Sequence, residues 1–200
     1  LPIKTLETVG TGAYAAVEKV DICGRLYARK SILLPRYNRK RARETLQNEV
    51  AIIRKLEHPH IVRVLCTYEE SSRFAIVLEP LATCDLEVYL HRTSKPECAE
   101  RKSITEKWLE CLSGTLSFIH AKGVRHKDIK TRNILVKDGD VLFADFGSSH
   151  MFHDEDNSIT EGPAYGHTLM YCSPEVVEWQ KRGRAADVFS LGCVFTELLT

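Results

Sequence analysis

The run His126-Lys127-Asp128-Ile129-Lys130-Thr131-Arg132-Asn133 is followed by two short apolar stretches, Ile134-Leu135-Val136 and Val141-Leu142-Phe143, and then by Asp145-Phe146-Gly147. The apolar stretches meet at Asp138-Gly139. An Asp-Gly pair between apolar runs is a strong short-range signal for a tight β-hairpin, because both central residues of the favoured turn need positive φ. With the turn at that pair, Asn133 lies opposite Ala144, beside Asp145, and Asp128 sits in the loop that feeds the first strand. Two carboxylates, an amide oxygen and a lysine then converge at one end of a small hairpin. Hard oxygen donors at that spacing suit Mg²⁺, which takes one or two protein carboxylates and completes its shell with water and substrate phosphates. Any one of these residues would pass as part of an ordinary polar loop; the whole set would not.

The elements upstream must bring further groups to such a site. Residues 3–32 read as three strands, with Gly10-Thr11-Gly12-Ala13-Tyr14-Ala15-Ala16-Val17 joining the first two and Cys23-Gly24 turning the second into the third. Glycines let a backbone approach phosphate oxygens closely and offer N–H groups to them, although a plain hairpin turn uses the same residues. The third strand alternates, so Leu26, Ala28, Lys30 and Ile32 share one face. A lysine there is costly unless it meets an anion or snorkels to a rim. The next helix carries Leu46, Val50, Ile53 and Leu56 on one stripe, and Glu49 falls on that stripe too. Pairing Lys30 with Glu49 is the least costly way to bury both. The basic run before the stripe, Arg36, Arg39-Lys40-Arg41 and Arg43, reads as the solvated start of the helix; a localisation signal and an anion-binding patch are the alternatives.

Pro59 ends this helix, and strands follow around 62–68 and 74–79. Residues 80–91 read as a connection and a short helix capped by Asp85, and 91–103 as a polar loop. Ser103-Ile104-Thr105-Glu106 forms a capping box that opens a helix with Trp108, Leu112, Leu116 and Ile119 on its apolar face. Near the end, Asp187 leads an apolar stretch, Val188 to Phe195, a helix apolar nearly all round and so expected to be buried inside a larger lobe.

These residues resemble the catalytic domain of eukaryotic protein kinases, of the serine/threonine type, across essentially the whole chain. The resemblance implies an α+β, bilobal fold, with a β-rich N-lobe over 1–80 and a mainly helical, truncated C-lobe over 81–200. It implies ATP and Mg²⁺ as cofactors, and as partners ATP and a protein substrate with a Ser or Thr acceptor, with no nucleic acid and no membrane. Asp128 would orient the acceptor hydroxyl and take its proton, Lys130 would stabilise the transferring phosphate, and Asn133 and Asp145 would hold the metal. Gly10, Thr11, Gly12, Val17, Ala28, Lys30, Glu49, Glu79 and Leu81 would bind nucleotide, Lys30 on the α/β-phosphates with Glu49 as its partner and Leu78 as the gatekeeper. Phe146 would stack with His126, Ile53 and Val64. Residues 148–175 would form the activation segment, with Thr168 contacting Asp128 and Lys130.

Three departures stand out. Ala15 replaces a usual glycine, Ser173-Pro174-Glu175 replaces Ala-Pro-Glu, and Lys127 replaces an arginine that often grips a phosphorylated activation segment. Lysine is a point charge rather than a planar fork. Activation is therefore expected to depend less on phosphate at Ser158, Thr160 or Thr168, with Asp154-Glu155-Asp156 as an acidic substitute. The rival reading is a pseudokinase that keeps the fold and regulates partners.

Composition fits this picture. Apolar residues make up 44% and charged residues 28%, as in a globular protein, and 28 basic against 27 acidic residues give no bulk charge for nucleic acid. Seven scattered cysteines without a C-x-x-C pair favour a reducing compartment, cytoplasmic or nuclear. The chain starts without Met and stops within a helix, so it reads as a fragment of a kinase domain with an apolar flank left bare.

Overall fold

The computed structural model describes residues 2–11, 15–93, 99–152, 169–178, 180 and 183–200, with side chains of the helix at 99–121 from residue 104 onward. The chain forms two compact units, Leu1–Glu57 with Val62–Ala82, and His58–Ile61 with Thr83–Thr200.

The first unit is a five-stranded antiparallel sheet and one helix. Strands β1 (Ile3–Thr11), β2 (Ala15–Ile22), β3 (Arg25–Leu33), β4 (Arg63–Glu70) and β5 (Arg73–Glu79) lie in the order β1-β2-β3-β5-β4. Cys23 and Gly24 take φ 53° and 80°, the pair of positive values that a two-residue hairpin with the right twist demands. Gly10, Val17, Lys30 and Ile76 face one another across four strands.

The two faces of β3 differ from the expected pattern. Leu26 is 46% exposed, whereas Tyr27 and Ser31 on the opposite face are buried. That opposite face has a cluster of its own, Val20, Ile22, Tyr27 and Val77, with Ile3, Cys66 and Tyr68 packed against it. Arg29 closes its edge, bonding to Glu18, Tyr68 and Thr5. Alternation alone does not tell which face of a strand is the covered one when both have neighbours.

Helix α1 (Arg39–Lys55) buries Glu49, Val50, Ile52 and Ile53, and Leu56 caps its C-terminus. The basic run forms its solvated first turn, where Arg43 pairs with Glu69 and Arg39 donates to the Ser71 carbonyl at 2.8 Å.

In the second unit β6 (Cys84–Asp85), β8 (Ile134–Lys137) and β9 (Asp140–Phe143) form one sheet, and β7 (Val124–Arg125) pairs with β10 (His150–Met151). Residues 58–61 join this unit because the Phe143 N–H donates to the His60 carbonyl at 2.8 Å and His60 Nδ1 lies 2.7 Å from the Val141 carbonyl oxygen. Helix α2 (Leu86–Arg92) is capped by Asp85, whose Oδ1 accepts the Val88 N–H at 2.8 Å. Helix α3 (Ala99–Ala121) starts four residues before the expected cap at Ser103. Ala99, Glu100, Arg101 and Lys102 are all good helix formers, so nothing in them stops the helix at the capping box.

The hairpin β8–β9 turns at Asp138 and Gly139, with φ 50° and 80°. Helix α3 holds its tip: Trp108, fully buried, donates its Nε1–H to the Gly139 carbonyl at 2.9 Å. Short helix α4 (Pro174–Val177) precedes α5 (Arg184–Leu199). Helix α5 buries one stripe, Asp187, Leu191, Val194 and Leu198, and leaves Val188 and Phe189 exposed, the bare apolar flank expected for this segment.

Candidate active site

The first unit holds a charge pair. Lys30 Nζ donates to Glu49 Oε1 at 2.8 Å, and the Glu49 side chain is only 5% exposed. Strand alternation aims Lys30 to the α1 side of the sheet, and helical spacing puts Glu49 on the buried stripe with Val50 and Ile53. A carboxylate so deeply covered needs a cation against it. Around this pair, Gly10 and Thr11 are exposed at the end of β1, and Val17 and Ala28 are half-buried in β2 and β3. Glu79 ends β5 with its side chain on Arg63, and Leu81 is half-buried just beyond. Gly12 lies outside the described residues.

The second unit has a compact polar turn of its own. Residues Thr131–Asn133 make a single 3-10 turn in which Thr131 and Asn133 point inward and Arg132 outward. Asp128 Oδ2 accepts from Lys130 Nζ at 2.8 Å and from Asn133 Nδ2 at 2.9 Å, and the same Nδ2 donates to the Asp128 carbonyl at 2.8 Å. One oxygen of Asp128 is thus held from two sides, and Oδ1 accepts no hydrogen bond from a described residue. With its nitrogen committed to Asp128, the Asn133 side chain has its oxygen as the remaining donor atom for a metal.

The hairpin brings Asp145 to the same end. The Ala144 N–H donates to the Asn133 carbonyl at 2.9 Å, so Asn133 and Asp145 are offset by one residue across the two strands. Asp145 is exposed and takes a left-handed conformation, φ 59°, which short polar side chains tolerate. One amide oxygen and one carboxylate, both hard donors, fit Mg²⁺ with water and phosphate completing its shell.

A buried anchor fixes the loop. Asp187 accepts the His126 N–H at 2.9 Å on Oδ2, the Lys127 N–H at 2.8 Å on Oδ1, and a contact from His120 Nε2 at 2.9 Å. Lys127 takes φ 68°, a conformation that a non-glycine residue keeps only when its surroundings impose it. Burial pushes the Asp187 carboxyl up, but the hydrogen bond with His120, the neighbouring His126 and the Lys127 N–H more than offset this and hold it below the ordinary value. Sequence reading placed Asp187 only as the start of an apolar helix and missed this role. The one available signal was a lone acid leading an apolar run, which normally reads as a favourable charge in a helix's first turn.

His126 is fully buried, with Nε2 3.1 Å from the Ala144 carbonyl and its ring 4.7 Å from that of Phe146. Ile53 and Val64, the other expected members of that stack, are buried within the first unit. Thr131 Oγ1 lies 2.9 Å from the Tyr171 hydroxyl, which ties the 3-10 turn to the segment before α4. Burial, then a hydrogen bond with Glu197, push the Tyr171 hydroxyl up to about 12, so it stays protonated. Ser158, Thr160, Thr168 and the acidic Asp154-Glu155-Asp156 lie outside the described residues.

A strand-rich unit with a buried lysine–glutamate pair, and a helical unit with this aspartate–lysine–asparagine turn beside a hairpin aspartate, define a protein kinase domain. The comparison with known families agrees: the family described as "Protein kinase domain" matches residues 3–200, and the chain belongs to it. Among curated relatives it is 32% identical over 190 residues to NUAK family SNF1-like kinase 2 of Rattus norvegicus, covering 94% of this chain and 29% of that protein. It is 32% identical over 201 residues to calcium/calmodulin-dependent protein kinase type 1 of Caenorhabditis briggsae, covering 96% and 53%, and 30% identical over 198 residues to serine/threonine-protein kinase Nek1 of Mus musculus, covering 98% and 16%. The chain therefore spans from about a sixth to about half of the length of these relatives.

Proposed function

We propose that the protein of which this domain is part transfers the γ-phosphate of ATP, with Mg²⁺, to a serine or threonine hydroxyl of a protein substrate. The observation that carries this reading is the doubly held Asp128 Oδ2 with Lys130 and Asn133 as its partners. Asp128 Oδ1 accepts the proton of the acceptor hydroxyl while the acceptor oxygen bonds to the γ-phosphorus and the β,γ-bridging P–O bond breaks. Positioned proton acceptance of this kind is worth about 10²–10⁴-fold. Lys130 remains within reach of the phosphoryl oxygens and offsets the charge that grows on them. Lys30, steadied by Glu49, supplies a fixed cation to the other phosphates, and Gly10, Thr11, Gly12, Val17, Ala28, Glu79 and Leu81 complete the nucleotide contacts. Asn133 and Asp145 would hold Mg²⁺, which would supply positive charge to offset that of the phosphates. Lysine at position 130 supports a serine/threonine rather than a tyrosine acceptor, as do the names of the relatives.

The test is Mg²⁺-dependent transfer from ATP to a generic protein substrate by the full-length protein, beside Asp128→Asn and Asp145→Asn. Transfer lost in both variants supports the reading. Folded protein that binds nucleotide and transfers nothing overturns it in favour of a pseudokinase.

A further inference from the structure

Arg132 is the one residue of the 3-10 turn that faces outward, between Thr131 turned to Tyr171 and Asn133 turned to Asp128. Its side chain is 69% exposed. Only Nε is engaged: it donates to Glu87 Oε2, in the first turn of α2, at 2.6 Å. The two terminal nitrogens donate to no described residue, so the planar N–H fork remains open to solvent. An exposed, solvent-screened pair of this kind adds little to stability, which makes a purely structural purpose for the guanidinium a poor account of it.

Glu87 matters for how the fork is presented. A free arginine samples many rotamers; one tethered by Nε to a helix holds its terminal N–H groups in a narrower set of directions. That fork matches a carboxylate or a phosphate through two parallel hydrogen bonds. Its neighbour Asn133 touches the carboxylate that orients the acceptor hydroxyl. A peptide in extended conformation advances about 3.3 Å per residue, so side chains two or three positions from the acceptor come within the length of Arg132.

We propose that Arg132, held by Glu87, is a specificity-determining residue that selects substrates with an anionic side chain, acidic or already phosphorylated, two or three residues from the acceptor. This rests on the function proposed above, since it takes the acceptor to lie at Asp128. The two sources of the anion share their chemistry and differ in charge and geometry, so the experiment includes both.

The test uses the full-length protein and three fluorescent peptides of one backbone, flanked at those positions by glutamate, by phosphoserine or by lysine, with alanine at the acceptor. Direct binding by anisotropy is measured alongside transfer to the matching serine peptides, so the inference stands or falls on binding whether or not phosphate is transferred. The expected result is at least fivefold tighter binding of the glutamate or the phosphoserine peptide than of the lysine peptide. Whichever of the two binds tighter names the natural anion. Arg132→Glu should reverse the order, raising KM for the anionic peptide about tenfold and leaving kcat within twofold. Glu87→Ala, which removes the tether on Nε, should weaken the wild-type preference. A peptide order that is flat in the wild type, or unchanged by Arg132→Glu, overturns the proposal. Absence of transfer with the binding preference intact overturns the kinase reading instead and leaves the anion site standing.

Discussion

Asn133 and Asp128 are joined twice: one amide nitrogen of Asn133 donates both to the Asp128 backbone carbonyl at 2.8 Å and to its Oδ2 at 2.9 Å. The asparagine therefore does two things at once. Its nitrogen fixes the rotamer of the carboxylate, which leaves its oxygen as the side chain's remaining donor atom for a metal. Replacement by alanine removes both. For Asn133→Ala in the full-length protein, transfer should fall at least about 100-fold, the lower range expected for misplacing a general base. A fall confined to kcat at saturating Mg²⁺ points to Asp128, and one that added Mg²⁺ restores points to the metal.

The Lys30–Glu49 pair couples function to stability within the first unit. Removing one partner of a covered ion pair strands the other, at a cost of about 3–5 kcal/mol when burial is complete and less here, because Lys30 is 18% exposed. Lys30→Met and Glu49→Leu should each destabilise, and the double variant should cost less than the sum by about 1–3 kcal/mol. Urea unfolding of the four proteins measures this coupling. A double variant that is strictly additive would mean that the pair contributes nothing beyond its separate contacts.

Asp187 gives the domain a predictable response to acid. Its carboxyl is held below its unfolded value of about 3.9, so the folded state favours the ionised form. The stabilisation is fully present above that value and is lost as pH falls through the folded one. Asp187→Asn should lower stability near neutral pH by about 1–3 kcal/mol, since a buried N–H of the loop loses its acceptor. It should also flatten the decline of stability below about pH 4 relative to the wild type. Stability against pH, read by denaturant unfolding, separates the two effects.

The tip of the β8–β9 hairpin tests local conformation apart from packing. A Cβ at Gly139 would meet nothing within 4 Å, yet φ there is 80°. Gly139→Val should therefore cost about 1–2 kcal/mol through the backbone alone. Trp108→Phe should cost more, about 2–4 kcal/mol, because it deletes the Nε1–H bond to the Gly139 carbonyl and leaves a cavity where the fully buried indole stood. Thermal unfolding of both variants checks the ranking; no loss in Gly139→Val would show that the turn can change type freely.

Local chemistry made much of this protein readable before its fold. Asp-Gly dictates a turn because it tolerates two positive φ values, and the structure has the turn at Asp138-Gly139, with Asn133 across from Ala144. Periods of two and of 3.6 residues put Lys30 and Glu49 on facing surfaces, where they meet at 2.8 Å. What depended on long-range packing was not readable. The start of α3 at Ala99 and the buried outer cluster that turns Leu26 to solvent each follow from which neighbours arrive rather than from the segment's own pattern. Asp187 is the clearest instance. Nothing within its helix distinguishes it from an ordinary first-turn acid, and only the fold carries His120 and the N–H groups of His126 and Lys127, sixty or more residues away in sequence, onto one carboxylate. Dihedral preferences and periodicity are properties of a segment, whereas the partner of a buried charge is a property of the closed chain.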